Sequence, residues 1–154
     1  MTRNLSVILM LFLFSFVLDQ GSKLYVTDVL QLSFTNREYD VFPPFLRFVY
    51  AENCGINFGL FSNCSPESAY ALVALSVAIS AALLVWALRR GTGALAFGAG
   101  LVIGGALANA WDRLTHGAVI DFLNMSCCGI HNPFSFNIAD IAIFGGAIWI
   151  AFRA

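Results

Sequence analysis

Charge is the scarcest property of this sequence. Only 11% of its 154 residues are Asp, Glu, Lys or Arg, whereas soluble globular domains are about one quarter charged. The few charges nearly cancel, giving a formal net charge of -1. They form no basic stripe of the kind that nucleic-acid binding requires, so we expect no nucleic-acid partner.

Hydrophobic residues, in contrast, make up 59% of the chain and include 15 Phe. A soluble domain of this size leaves much of its surface in water and cannot bury so many apolar side chains. The same excess excludes an intrinsically disordered chain. The composition therefore predicts an integral membrane protein, and the length favours a single domain over residues 1–154.

Four apolar runs predict membrane helices, at about residues 5–25, 69–88, 94–111 and 134–152. The second run is uncharged over about 20 residues, which is the length that crosses a bilayer. The first run also has the length of a signal-peptide core. Because large residues, Phe16 to Leu18, follow that core where a cleavage site needs small ones, we interpret it as a retained helix.

The connection between the first two runs, about residues 26–68, shows the alternation of apolar and polar residues that is typical of strands. It occurs at 30–34 and 45–48, on either side of Pro43-Pro44, and a further strand-like run begins at Ala118. The predicted fold is an all-α membrane protein with four transmembrane helices and a small extracytoplasmic β-sheet between helices one and two.

Basic residues at the ends of the runs predict the orientation. Cytoplasmic loops are enriched in Lys and Arg, so both termini are expected to be cytoplasmic. The residues that support this lie in short segments without acidic neighbours: Arg3, Arg89, Arg90 and Arg153. All nine acidic residues then lie at or just below the opposite surface, which is therefore the predicted site of the chemistry.

Polar residues converge at the outer ends of three predicted helices. They are Asp19 and Lys23 on the first, Asn109, Asp112 and Arg113 on the third, and Asn137 and Asp140 on the fourth. A charged side chain at membrane depth costs about 3 kcal/mol or more, so such groups pair with each other or serve a site. Asp140 lies inside a span and Asp121 lies in the loop before it. Two carboxylates that share a site and one proton can activate water, as in aspartic proteases.

Other interpretations of these residues remain open. Asp112 and Arg113 suit an interfacial ion pair that ends a helix, and Asp19 and Lys23, four residues apart, suit a structural pair. A small transporter or channel subunit would also carry charges at membrane depth, but here they are confined to the outer end. A membrane-anchored assembly module that uses the outer sheet is a third class.

Neither a metal nor another cofactor is expected. His116 and His131 are isolated, and the four cysteines lack ligand-like spacing to either of them. The cysteines all fall on the predicted outer, oxidising side, where disulfides form, and the residues are Cys54, Cys64, Cys127 and Cys128. Three pairings are possible if all four are bonded. A bond between adjacent cysteines is the least favourable of these geometrically.

Five short motifs occur in order along the chain: Asp19-Gln20-x-x-Lys23, Asn53-x-Gly55-x-x-Phe58-Gly59, Gly104-Gly105-Ala106-Leu107-x-Asn109-x-x-Asp112-Arg113, Gly117-x-Val119-x-Asp121-Phe122 and Phe136-Asn137-x-Ala139-Asp140. Together with the four-span pattern, they closely resemble the lipoprotein signal peptidases, also called signal peptidase II. Within the second motif, the polar Asn57 departs from the small apolar residue that is usual in this family.

The resemblance implies an aspartic endopeptidase of the bacterial inner membrane. Such an enzyme removes the signal peptide from prolipoproteins by cutting before a cysteine that carries diacylglycerol, at the periplasmic face. Its implied partners are these substrates and membrane lipids, and a monomer is the default expectation. The implied catalytic pair is Asp121 and Asp140, and the implied substrate-binding or supporting residues are Asn53, Gly55, Asn109, Arg113, Asn137, Asp19, Lys23 and Asp112.

Overall fold

A computed structural model describes residues 2–55, 64–129 and 132–153. Its four α-helices are α1 (Thr2–Leu24), α2 (Pro66–Arg90), α3 (Gly93–His116) and α4 (Ile138–Arg153), and α1 continues into a π-helical turn at Tyr25–Val29. The remaining elements are three strands, β1 (Glu38–Phe42), β2 (Leu46–Asn53) and β3 (Val119–Met125). The motif residues Phe58 and Gly59, together with Asn57 and His131, lie outside the described residues.

Among the described residues, three helices are long and apolar enough to cross a membrane: Thr2–Val29, Pro66–Arg90 and Gly93–His116. These agree with the first three predicted runs. The fourth helix has 16 residues, which corresponds to about 24 Å at 1.5 Å per residue.

The predicted beginning of the last helix, at residue 134, is wrong. Phe136 is extended instead, because its backbone N–H donates to the Leu123 carbonyl (3.0 Å) and its carbonyl accepts from the Leu123 N–H (2.8 Å). The helix begins two residues later, at Ile138. The extended residue Phe136 therefore pairs with β3, and this pairing keeps the helix from beginning before Ile138.

The central helix is α3, and α1, α2 and α4 all pack against it. Small residues allow this close approach. A Cβ on Gly104 would lie 2.7 Å from the Phe12 carbonyl oxygen of α1, and one on Gly98 would lie 2.8 Å from the Gly146 carbonyl oxygen of α4. Glycine lets the backbones of α1 and α4 contact α3 directly, and this proximity brings the ends of the three helices together.

The third predicted run ends at about residue 111, but α3 continues to His116, so Asp112 and Arg113 lie on this helix as expected. Charged residues do not end this helix, since Asp112 is buried within its last turns. The helix ends at Gly117, whose φ of +78° is left-handed and whose N–H donates to the Arg113 carbonyl. Glycine adopts this conformation without steric cost, which makes it a common helix terminator.

The sheet is antiparallel, with β2 between β1 and β3. The predicted strand at 45–48 is confirmed as the beginning of β2, and the strand-like run after Ala118 is confirmed within β3. The sheet therefore combines the connection between α1 and α2 with the connection between α3 and α4, so its prediction from the first connection alone was incomplete.

The predicted strand at 30–34 is wrong. The Leu30 and Leu32 N–H groups donate to the Tyr25 and Val26 carbonyls of the π-helical turn. Leu32 is buried with Val26 against Phe122 of β3. The apolar residues at these positions thus pack the turn onto the sheet, which explains the alternation without a strand.

Candidate active site

Asp121 lies in the middle of β3, directly opposite Ala51 of β2. Asn53 is two residues further along β2, so it is on the same face of the sheet as Asp121 and diagonal to it. Its Nδ2 donates to Asp121 Oδ2 (3.1 Å). The Asp121 residue is only 3% exposed, so strand pairing holds a buried carboxylate in a defined position.

Asp140 lies in the first turn of α4 and forms a reciprocal cap with Asn137. The Asn137 Oδ1 accepts from the Asp140 N–H (2.9 Å), and Asp140 Oδ2 accepts from the Asn137 N–H (3.3 Å). This is the hydrogen-bond pattern of a capping box, here with Asn and Asp three residues apart. The cap fixes both the beginning of α4 and the orientation of the Asp140 side chain, which is 8% exposed.

Two asparagine amides connect the carboxylates. Asn137 Nδ2 donates to Asp121 Oδ1 (2.7 Å) and lies 3.0 Å from Asn109 Oδ1. The Nδ2 of Asn109 then donates to Asp140 Oδ1 (3.0 Å). Asp121 and Asp140, 19 residues apart in sequence, are therefore joined in one network by neutral groups that add no charge.

Arg113 supports the wall of the site formed by the end of β2. Its Nη2 donates to the Gly55 carbonyl (2.7 Å), and the Gly55 N–H donates to Asn53 Oδ1 (3.1 Å). Asn109 and Arg113 are four residues apart on α3 and so lie on one face of that helix. The same face thus reaches Asp140 through Asn109 and the β2 wall through Arg113.

The remaining predicted residues form a buried ionic group behind the carboxylates. Lys23 Nζ lies 2.6 Å from Asp19 Oδ2 and 2.6 Å from Asp112 Oδ2. Gln20 Nε2 also donates to Asp112 Oδ1 (2.8 Å). Asp112 is thus paired with Lys23 of α1, and the expected pairing of Asp19 with Lys23 is extended to a group of three charges.

A cavity of about 780 Å³ opens beside the two carboxylates. Asp121, Asp140 and Asn53 form its polar part. Its apolar lining comes from α4 and the segment before it and includes Phe134, Phe136, Ile141, Phe144 and Gly145. The cavity therefore suits a substrate that has a peptide bond next to a bulky apolar group.

The apolar lining was not predicted as part of the site. Ile141, Phe144 and Gly145 follow Asp140 by one, four and five residues, which is the spacing of one helix face. That periodicity was a usable signal once Asp140 was placed in a helix. Phe136 offered no such signal, because its position depends on pairing with β3.

Burial and the neighbouring charge of Asp140 raise the pKa of Asp121 to about 7. Hydrogen bonds from Asn53 and Asn137 and the positive charge of Lys23 oppose this rise. Two buried carboxylates that interact in this way cannot both ionise easily, so burial and mutual repulsion favour a pair that keeps one proton. One protonated and one ionised carboxyl group are the requirement for metal-independent activation of water.

The described part of the chain contains no group of three His, Cys, Asp or Glu side chains arranged to hold a metal ion.

Comparison with known proteins places this arrangement in a family. Residues 11–154 match the sequence profile described as signal peptidase (SPase) II. The chain belongs to the signal peptidase II family. Curated relatives called lipoprotein signal peptidase include those of Methylorubrum extorquens (strain PA1), 40% identical over 85% of this chain and 75% of the relative, and Rhodopseudomonas palustris (strain ATCC BAA-98 / CGA009), 40% identical over 84% of this chain and 80% of the relative.

Solved structures of bacterial membrane enzymes share the fold of this signal peptidase II. One, determined by the in meso method at 2.3 Å resolution, has a TM-score of 0.81 and 24% identity, covering 96% of this chain and 86% of the other. A second, at 1.9 Å resolution, has a TM-score of 0.79 and 23% identity, covering 96% and 91%. The family match confirms the predicted enzyme class, an aspartic endopeptidase, and the removal of signal peptides from prolipoproteins.

The pH dependence of cleavage by this protein is expected to follow the proton that the pair of carboxyl groups keeps. As the pH rises through about 7, the pair loses that proton, and kcat/KM should fall about tenfold for each further pH unit. The measurement is the initial rate of prolipoprotein cleavage at low substrate concentration, from about pH 5 to about pH 9. A rate that stays constant over the alkaline half of this range would contradict a shared proton.

All four cysteines are bonded, as Cys54–Cys64 and Cys127–Cys128. Pairing of the adjacent cysteines departs from the geometric expectation. Cys54 and Cys64 line the cavity, and Cys54 lies between Asn53 and Gly55. The first disulfide thus connects the β2 wall to the residues that precede α2.

We expect the intact protein to take up no alkylating reagent before reduction and four equivalents after it, as measured by mass spectrometry. Reduction should raise KM several-fold and change kcat less, because the wall beside Asn53 loses its connection to the start of α2. The variant Cys127→Ser/Cys128→Ser is the matched control, and it should keep this response to reductant. Free thiols in the unreduced protein would refute the prediction.

Proposed function

We propose that this chain cleaves diacylglyceryl-modified prolipoproteins immediately before the lipidated cysteine, with Asp121 and Asp140 as the catalytic pair. The observation that carries the proposal is the position of two buried, amide-linked carboxylates at the polar part of a largely apolar cavity. A diacylglyceryl group stays in the membrane leaflet, so the bond next to it has to be cut at the interface. The cavity combines the two carboxylates that would cut the peptide bond with an apolar lining that suits the neighbouring lipid.

In the proposed mechanism, the pair begins with one proton. The ionised carboxylate takes a proton from the attacking water as the water oxygen bonds to the peptide carbonyl carbon, and the protonated carboxyl group donates a hydrogen bond to the carbonyl oxygen. The C–N bond of the tetrahedral intermediate then breaks, the carbonyl re-forms, and the leaving amine receives the proton that was taken from water. Asn109 and Asn137 keep the two carboxyl groups oriented through hydrogen bonds of 2.7–3.0 Å. No covalent intermediate is required, and one chain supplies every group, so a monomer suffices.

The proposed placement has four membrane spans in one integral domain, with both termini in the cytoplasm. Contacts at one end of the bundle support it. Asn4 Nδ2 at the start of α1 donates to the Gly91 carbonyl between α2 and α3, and Trp149 Nε1 near the end of α4 donates to the Ala94 carbonyl. The four helix ends that carry the basic residues therefore lie together, as the rule for cytoplasmic loops requires.

The opposite end carries Asp121, Asp140 and the sheet. In the proposed orientation this end faces the periplasm at the outer surface of the bacterial inner membrane, where the diacylglyceryl group is anchored. Exposed apolar side chains on α4, such as Ile141, Phe144 and Ile148, suit contact with lipid over its length of 16 residues.

The test is cleavage by the purified protein in detergent, with a chelator and without added metal. One substrate is a diacylglyceryl-modified prolipoprotein, and the matched control is the same precursor without the lipid. We expect mass spectrometry to detect a product that begins with the lipidated cysteine, and the unmodified precursor to react at least tenfold more slowly. Equal cleavage of both precursors, or cleavage at another bond, would refute the proposed specificity.

A further inference from the structure

The charged group behind the carboxylates contacts the backbone next to each of them. Asp19 Oδ1 accepts from the Ala139 N–H (2.8 Å), and Ala139 directly precedes Asp140. Asp112 Oδ2 accepts from the Ile120 N–H (3.3 Å), and Ile120 directly precedes Asp121. Asp19 of α1 and Asp112 of α3 thus each accept a hydrogen bond from the backbone N–H one residue before a member of the proposed catalytic pair.

Lys23 forms an ion pair with both of these carboxylates. Its ammonium group lies 2.6 Å from Asp19 and 2.6 Å from Asp112, and it also donates to Asn109 Oδ1 (3.3 Å). An ammonium group has three donors and no acceptor, and here it lies against three oxygen atoms, one each from Asp19, Asp112 and Asn109. All three charged residues are at most 3% exposed, and water competes little for these bonds.

The third bond of Lys23 also orients an amide. Because an ammonium group only donates, the oxygen of Asn109 has to face Lys23. The Nδ2 of Asn109 then faces Asp140 Oδ1, to which it donates (3.0 Å). Lys23 therefore reaches Asp140 along two routes, through Asp19 to the backbone and through Asn109 to the side chain.

We propose that Lys23 is a positioning residue that sets the separation of Asp121 and Asp140 by bridging Asp19 and Asp112. This inference rests on the proposed catalytic pair. Adjacent Cα atoms are about 3.8 Å apart, so a shift of the Ile120 or Ala139 backbone also displaces the aspartate that follows it. Without the bridge, the separation of the two carboxyl groups depends only on the bonds of Asn109 and Asn137 and on the pairing of Phe136 with Leu123.

The first test is Lys23→Met, which keeps the length of the side chain and removes the bridging charge. We expect kcat for the lipidated precursor to fall at least about tenfold while KM stays within about twofold, because the cavity wall at Asn53 and Phe144 is left in place and a misplacement of about 1 Å has effects of this order or larger. Ser15→Ala is the matched control. It changes another buried polar side chain of α1, one turn before Asp19, and should keep kcat within about twofold.

Lys23→Met leaves two buried carboxylates without their cation and can fail to fold for that reason. The second test, Asp19→Asn/Lys23→Met/Asp112→Asn, removes all three charges and keeps oxygen acceptors for the Ala139 and Ile120 N–H groups. If the bridge positions the pair, kcat of this folded triple variant stays at least about tenfold below wild type. Wild-type kcat in either folded variant overturns the proposal, and so does failure of both variants to fold, which would assign Lys23 to bundle stability alone.

The double variant Lys23→Met/Asp112→Asn adds a test of mechanism. If Lys23 and Asp112 act through the same bridge, removing both residues costs no more than removing one. The kcat of the double variant should therefore be about that of the slower of the two single variants, Lys23→Met and Asp112→Asn. If the fold-loss in kcat of the double variant equals the product of the two single-variant losses, the proposed bridge is overturned. Failure of the catalytic proposal itself is distinguishable, because it would appear as cleavage by Asp121→Asn or Asp140→Asn, whatever the result at Lys23.

Discussion

Asp121→Asn and Asp140→Asn are each expected to lower kcat for the lipidated precursor by about 10²–10⁴-fold or more, which is the range for loss of a general acid or base. Asparagine keeps the shape of the side chain and one of its two oxygens, which can still accept from Asn137 at position 121 or from Asn109 at position 140. It cannot hold or accept the transferred proton. The measurement is single-turnover cleavage with the protein in excess, so that product release does not mask the chemical step.

Thermal unfolding supplies the folding control for Asp121→Asn. The pKa of Asp121 is raised from 3.8 to about 7, so between these two pH values the folded state keeps a proton that the unfolded chain releases. The free energy of unfolding therefore falls as the pH rises through this interval, by up to about 1.4 kcal/mol for each pH unit. We expect Asp121→Asn to have a higher Tm than wild type at about pH 8 and a similar Tm at about pH 4.

Asp28→Asn is the matched control for activity. Asp28 is exposed on the π-helical turn, and its substitution should change kcat less than about twofold, as expected for a surface side chain. Undiminished cleavage by either Asp121→Asn or Asp140→Asn would remove that residue from the catalytic pair.

Much of the helical architecture could be predicted because each helix is encoded locally. The uncharged run at 69–88 lies within α2, and Gly91 and Thr92 end one helix and cap the next. Errors occurred where the controlling contact comes from another element. The segment before Ile138 is as apolar as a helix, yet Phe136 bonds to Leu123 of β3. No pattern within residues 134–137 encodes that partner.

In the candidate site, too, the features encoded locally could be predicted and the contacts between distant elements could not. The interval from Asn137 to Asp140 is a local capping signal, and both residues were recognised as candidates from the sequence. The contact of Asp19 with the Ala139 N–H spans 120 residues. It depends on the packing of α1 and α4 around α3, so the sequence could identify Asp19 but could not distinguish a simple pair with Lys23 from a contact with the segment that carries the proposed catalytic Asp140.

Gly105→Ala is expected to impair both folding and cleavage, because α3 and α4 have no space for one more methyl group. A Cβ at Gly105 would overlap the Ala139 carbonyl oxygen and lie 2.9 Å from Ile143 Cγ1. The alanine gains about 1 kcal/mol in helix propensity, but overpacking against a fixed backbone costs about 1–3 kcal/mol. The overlapping atom is backbone and cannot rotate away, so the cost should prevail and Tm in detergent should fall.

The effect on cleavage follows from the position of Gly105 one turn before Asn109. Pushing α4 away at Ala139 moves Asp140, and the bond from Asn109 Nδ2 to Asp140 Oδ1 (3.0 Å) lengthens. We expect kcat to fall at least about tenfold, since a misplacement of about 1 Å can cost 10²-fold. Gly21→Ala is the matched control, because nothing lies within 4 Å of its added Cβ. It should keep kcat and raise Tm slightly, and the same response in Gly105→Ala would show that α4 is not fixed by its contact with α3.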